Sequence, residues 1–250
     1  MKTSSTQTIA VPSPLTGTTY QLHLPTNAPR ASEGPTVPLV LVMDGDDQFE
    51  PALAAYEKLR AAGQVEPLLL AGIGYGASYS SPLNRRMRDY TPTAMPGEAG
   101  TGGAEVFRRA LRDEIIPALE GRFAVARDER CIAGHSLGSL FGLYAFFHPE
   151  RLFFRALLSA PSIWYDDRSI LKIGQESSRD RRALPGRLFL CVGADDSPSM
   201  ISDLELFEKS LAARPCEGLV VVSRRFAGRD HYNVLPDAFH AGLRALYGKG

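Results

Sequence analysis

The stretch that most constrains this chain is Cys131-Ile132-Ala133-Gly134-His135-Ser136-Leu137-Gly138-Ser139-Leu140-Phe141. A short apolar run reaches Gly-His-Ser-Leu-Gly, and an amphipathic segment begins at once. The pattern predicts a strand, a sharp turn and a helix, with Ser136 at the apex. Small residues must flank that apex, because a turn this tight brings the strand and the helix close together. A serine held there exposes its Oγ at the start of a helix, where backbone N–H groups favour developing negative charge. The same five residues also occur in ordinary strand-to-helix turns, so the other strand ends must decide their meaning.

The rest of the chain supplies those strands. Residues 7–11 and 18–24 alternate apolar and polar side chains around a Pro-Ser-Pro-Leu-Thr-Gly loop, which predicts an antiparallel pair. Residues 27–38 read as an irregular connector. Residues 39–43, 67–74, 153–159, 188–193 and 218–223 are apolar runs of the kind buried on both faces of a sheet. Helical patterns lie between them: about 51–62, with Pro51 in its first turn, then 103–121, 200–214 and 233–247, and a polar piece running to about 182. Pro117 falls inside the second of these and predicts a kink or an early stop. Alternating strands and helices of this kind give an α/β fold: a mostly parallel central sheet flanked by helices, with antiparallel N-terminal strands. No linker or repeat divides residues 1–250, so one domain is expected. A domain of this size buries about 70–75% of its unfolded surface and needs no disulfide or metal.

Composition removes several function classes. Lys+Arg and Asp+Glu both number 28, so no basic surface for nucleic acid or anionic lipid is indicated. Three cysteines without CxxC spacing argue for core thiols in a reducing compartment and against a zinc site. No run approaches a membrane span, and the first residues lack the apolar core of a signal peptide, so the expected location is cytoplasmic. Gly72-Ile73-Gly74-Tyr75-Gly76 does not have phosphate-loop spacing. No cofactor is called for.

Ligands of open α/β sheets bind beyond the carboxyl ends of the strands. Ser136 follows one strand, Asp195 and Asp196 follow another, and His231 follows the last. The chain order Ser, Asp, His is that of the α/β-hydrolases. A serine hydroxyl is a weak nucleophile until an imidazole accepts its proton, and a carboxylate holds that imidazole's tautomer. His231 is the expected base; His23, His135, His148 and His240 are read as structural. Asp196 is preferred over Asp195 as the acid, with helix capping as the competing role for both. The oxyanion hole needs two amides: that of Leu137, and that of Asp46 in the Asp44-Gly45-Asp46-Asp47 loop. A metal site built from these aspartates is the rival reading of that loop.

Five stretches together resemble the putative-esterase family of α/β-hydrolases, which includes esterase D-like and enterochelin (siderophore) esterases. They are Val42-Met43-Asp44-Gly45-Asp46-Asp47-Gln48-Phe49, Arg86-Met87-Arg88-Asp89-Tyr90-Thr91-Pro92-Thr93, Gly134-His135-Ser136-Leu137-Gly138, Ser159-Ala160-Pro161-Ser162-Ile163-Trp164 and Gly228-Arg229-Asp230-His231-Tyr232. The resemblance implies an α/β-hydrolase fold, Ser136 as nucleophile, His231 as base, and the Asp46 and Leu137 amides as the oxyanion hole. It also implies that Arg88 and Trp164 lie by the substrate. Ser139 departs from the family, which usually has a second glycine there, and some siderophore esterases look like Ser-His dyads without the acid. The expected activity is a serine carboxylic-ester hydrolase working through an acyl-enzyme on a small ester, siderophore-type or other. A thioesterase or acyltransferase with the same triad, and a non-catalytic binding protein, are the alternatives. Oligomeric state is not readable from the sequence.

Overall fold

The computed structural model describes residues 5–32, 34–179 and 183–249. Strands β1 (Thr6–Ser13) and β2 (Thr18–Pro25) form an antiparallel hairpin. They are followed by β3 (Val37–Val42), β4 (Leu69–Gly74), β5 (Val125–His135), β6 (Arg155–Ser159), β7 (Ala183–Gly193) and β8 (Glu217–Phe226). All eight belong to one sheet in the order β1-β2-β4-β3-β5-β6-β7-β8. β2 joins β4 antiparallel, and β3 to β8 run parallel with their neighbours. The architecture is that of an α/β-hydrolase, as expected.

Alternation along the strands sorts side chains into two cores. Leu39 and Leu41 join Ile132, Leu158 and Leu188 on one face of the sheet, under α3 (Ala104–Ala110), α5 (Leu137–Phe147) and α7 (Pro198–Ala213). Val40 and Val42 join Cys131, Leu157 and Phe189 on the other, under α1 (Gly45–Ala61) and α8 (Leu235–Tyr247). The central strands are apolar throughout because both of their faces are covered. Burial lifts the thiols of Cys131 and Cys191 to about 12, so both are inert core groups. Among the described residues no helix is long and apolar enough to cross a membrane.

Several boundaries differ from the sequence expectation. α1 begins at Gly45, so Pro51 lies in the helix interior and not in its first turn. The helix expected over 103–121 is three pieces: α3, a π-helical turn Leu111–Ile115, and α4 (Ile116–Glu120). The wide turn, with the Ile116 N–H donating to the Leu111 carbonyl, absorbs Pro117, which has no N–H to give and would crowd the carbonyl four residues back. The long segment after β4 contains only one helical turn, α2 (Arg86–Asp89). The polar helix is α6 (Tyr165–Arg179), and its expected end at residue 182 lies outside the described residues. α6 opens with Asp166, Asp167 and Arg168 in the left-handed region.

Candidate active site

The site is built at the carboxyl ends of β3 and β5 to β8. Ser136, between β5 and α5, has φ 56° and ψ −119°, a strained backbone for a residue with a side chain. The strain is held from all sides. The Ser136 N–H donates to the Ser159 carbonyl at 3.0 Å, and the Ser136 carbonyl accepts from the amides of Leu140 at 3.0 Å and Ser162 at 3.2 Å. The buried Ser139 hydroxyl reaches the carbonyls of Gly134 and Ser159 at 2.7 and 2.9 Å, tying the helix to two strands. Gly134 is required: a Cβ there would sit 2.6 Å from the Gly138 carbonyl group. Ser136 Oγ lies 3.1 Å from Ser162 Oγ.

Two loops bring Asp196 and His231 together. After β7, the Asp195 N–H donates to the Arg229 carbonyl at 2.9 Å, lashing the β7 turn to the loop after β8. Gly193 makes this approach possible, because a Cβ there would overlap the Arg229 carbonyl. Asp196, almost fully buried, then accepts from His231 Nδ1 at 3.0 Å, and its other oxygen accepts from the Ser197 amide at 2.7 Å. The His231 loop is shaped by Asp230, whose carboxylate accepts from the amides of Tyr232 and Asn233 and is held by them below the usual range. Asp195 is exposed. Ser197 fulfils the capping role, accepting from the Met200 amide.

Beneath His231 lies His135, with ring centroids 4.5 Å apart and its Nδ1 3.3 Å from Ser159 Oγ. Burial, reinforced by the neighbouring His231 and Arg86, pushes its pKa down to about 3, so the ring is neutral beside His231.

The turn between β3 and α1 abuts the first turn of α5: a Cβ on Gly138 would meet Asp44 Oδ2 and Met43 Cβ, both at 3.1 Å. Asp46 and Leu137 therefore both lie in first helical turns, whose amides have no partner within the helix. The three aspartates of the loop face three different partner sets. Asp44 accepts two hydrogen bonds from Arg86, at 2.8 and 3.0 Å. Asp46 bonds His23 at 2.9 Å and the amides of Tyr75 and Gly76, and Asp47 bonds Ser78 and the Tyr79 amide. Among the described residues no group of three or more His, Cys, Asp or Glu side chains could hold a metal. Burial pushes the Asp44 carboxyl up and Arg86 pulls it back; burial likewise works against the Arg86 charge, but Asp44 keeps it protonated.

Two cavities meet at Ser136, His231 and Tyr232. The larger, about 490 Å³, is lined also by Trp164, Asp196 and Met200. The smaller, about 220 Å³, is lined also by Gln48, Tyr79, Arg86 and His135. Trp164 thus lines the cavity that Ser136 lines, whereas Tyr165 is buried with its hydroxyl on the Thr93 carbonyl. Arg88 does not reach either cavity, which corrects the expectation for it. Its guanidinium bonds Asp89, the Thr16 carbonyl and Thr18 Oγ1, so it fastens α2 to the β1–β2 loop. Arg86 faces the cleft instead. The sequence reading did not single out Ser162, Gln48, Tyr79 or Tyr232; Gln48, Ser162 and Tyr232 stand in stretches that resemble the family, whereas the signal for Tyr79 was its place in a loop that follows a strand.

Comparison with known proteins places the chain in a family. The family model described as "Putative esterase" matches residues 14–211. The chain belongs to that family. Among curated members of similar sequence is the siderophore triacetylfusarinine C esterase of Aspergillus fumigatus, 29% identical over 177 residues. The match covers 69% of this chain but 56% of that protein's length. The ferri-bacillibactin esterase BesA of Bacillus subtilis is 29% identical over 238 residues, covering 85% of this chain and 80% of that one. Among solved structures, the BES protein from Bacillus cereus superposes with a TM-score of 0.85 at 26% identity, covering 99% of this chain and 96% of that one.

Proposed function

We propose that this putative-esterase family member hydrolyses carboxylic esters through an acyl-enzyme, with Ser136 as nucleophile, His231 as base and Asp196 as acid. The observation that carries the proposal is the Asp196–His231 hydrogen bond of 3.0 Å in the cavity that Ser136 also lines. With Nδ1 engaged by Asp196, the His231 proton sits on Nδ1 and Nε2 is the acceptor. Nε2 takes the Ser136 proton as Oγ forms a bond to the ester carbonyl carbon. The carbonyl electron pair moves onto oxygen, facing the Leu137 and Asp46 amides. Collapse expels the alcohol, which receives the proton from His231. Water then attacks acyl-Ser136 by the same route, releasing the acid and restoring the serine. Ser162 Oγ steadies the resting Ser136 hydroxyl and yields it to His231 by rotation about one side-chain bond.

The substrate proposed is a small ester of the siderophore type. The relatives named as siderophore esterases support this, as do three aromatic side chains at the cleft mouth: Trp164, Tyr79 and Tyr232, exposed by 47, 49 and 82%. Arg86, paired with Asp44 and close to the Tyr79 ring, takes the substrate-binding role expected of Arg88. Two buried and one half-buried free thiol support a reducing, cytoplasmic setting.

The test is a panel of p-nitrophenyl esters and enterobactin-type trilactones, run on the wild type and Ser136→Ala. Turnover by the wild type, and loss of about 10³-fold or more in the variant, is expected. No hydrolysis by the wild type, or full rate in the variant, overturns the reading. Product analysis with added thiol or alcohol acceptors separates hydrolysis from acyl transfer.

A further inference from the structure

Among the described residues β8 ends the sheet, with a hydrogen-bonded neighbour on one side only. The opposite edge strand, β1, contains Pro12 and alternates exposed polar residues, both of which discourage pairing. β8 carries no such protection. Its middle is Leu219-Val220-Val221-Val222, with no proline or lysine and no charge. Val220 and Val221 are exposed by 49 and 40%, and successive residues point to opposite faces, so both faces are open at mid-strand. A strand this long, apolar and accessible is a template for another strand.

The charges on β8 select the occupant. Glu217 stands at its start, and Arg224 and Arg225 at its end, with Arg225 also held by Glu208 of its own chain at 2.8 Å. A second copy laid antiparallel brings each start against the other's end, matching acid to base twice, whereas parallel alignment would set like against like. A two-fold axis perpendicular to the sheet pairs residues of the same face. Centred on Val221, it sets Val221 against itself, Val220 against Val222, and Leu219 against Ser223. Moving the centre one residue onward would put Arg224 against Val220 and Arg225 against Leu219.

We propose that two copies of this chain associate by antiparallel pairing of their β8 edges about Val221, joining two eight-stranded sheets into one. Such an interface is isologous and closes on itself. Because the strands of the two copies run in opposite directions, their Ser136 clefts open at opposite ends and neither is covered. The proposal is independent of the catalytic reading.

Sedimentation of the full chain over two decades of concentration tests it, with a species of twice the single-chain mass expected. Val221→Lys places two ammonium groups at the axis and is expected to give a monomer with unchanged circular dichroism, because the position is exposed. Glu217→Arg is expected to weaken the dimer about ten-fold, since two equivalent contacts reverse. In a V221C/C216S variant, a short bis-maleimide is expected to link two chains. A wild type that stays monomeric at every concentration overturns the proposal, whether the edge is then free or meets a different partner. A dimer unaffected by Val221→Lys, or no cross-link in the cysteine variant, does the same.

Discussion

Single residues carry the chemistry here through what their neighbours leave free. Asp196 contacts His231 while Asp195, one residue earlier, is exposed and holds the loop through its backbone. Asp196→Asn is therefore expected to lower kcat by about 10³–10⁴-fold, because the asparagine stabilises the wrong tautomer. Asp195→Asn should stay close to wild type, and steady-state rates on one p-nitrophenyl ester compare the two. His135 gives a prediction about pH. Burial holds its pKa down at about 3, against 6.5 for a free imidazole, so between these limits the unfolded chain binds a proton that the folded chain refuses. Stability from this group is complete above pH 6.5 and falls steadily as pH drops towards 3. His135→Asn should flatten that slope, measured by urea unfolding at a series of pH values across the window.

At the scale of elements, the site depends on how closely backbones approach. Gly193 lets the β7 turn meet the Arg229 carbonyl, and this contact sets the distance between Asp196 and His231. Gly193→Ala should push the His231 loop outward and lower kcat/KM by about 10²-fold, the size expected for a displacement of about 1 Å. Rates normalised to folded protein check this, and a fall explained by lost folded protein alone counts against it. The π-helical turn is another effect at this scale. The stripe of Phe107, Leu111, Ile115 and Leu119 is buried as a continuous helix would bury it, yet Pro117 forces the wider turn. Periodicity marked the buried face, but the hydrogen-bond register answered to the proline.

Across the whole molecule, one buried carboxylate joins the antiparallel hairpin to the site. Asp89 accepts from the hydroxyls of Tyr20 on β2 and Tyr75 after β4, at 2.8 and 3.0 Å, and from Arg88 on its own helical turn. Burial raises the pKa of both tyrosines further above neutrality, so both hydroxyls act as donors. Above them Tyr90, Phe107 and Phe141 pack in a chain of ring contacts that ends on the helix following Ser136. Asp89→Ala takes the shared acceptor from two tyrosine hydroxyls and leaves Arg88 without its carboxylate partner. It should cost about 2–4 kcal/mol in chemical denaturation and should speed proteolysis of the segment from Tyr75 to Gly103.

The sequence by itself determined most of the strands, their parallel character, and the chain order of a serine, an aspartate pair and a histidine after β5, β7 and β8. Those properties rest on local periods and on residues adjacent to strand ends, where the backbone path is set by the strand. The tertiary structure decided what faces the cleft. Arg86 and Arg88 are two residues apart on a one-turn helix, about 200° around its axis, so only the docking of α2 determines which one lines the cleft. The same applies to Ser162 beside Ser136, to His135 beneath His231, and to Asp196 in place of Asp195. Each is a contact between segments 26 or more residues apart in the chain; side-chain direction there follows from packing of whole layers, which no local pattern encodes.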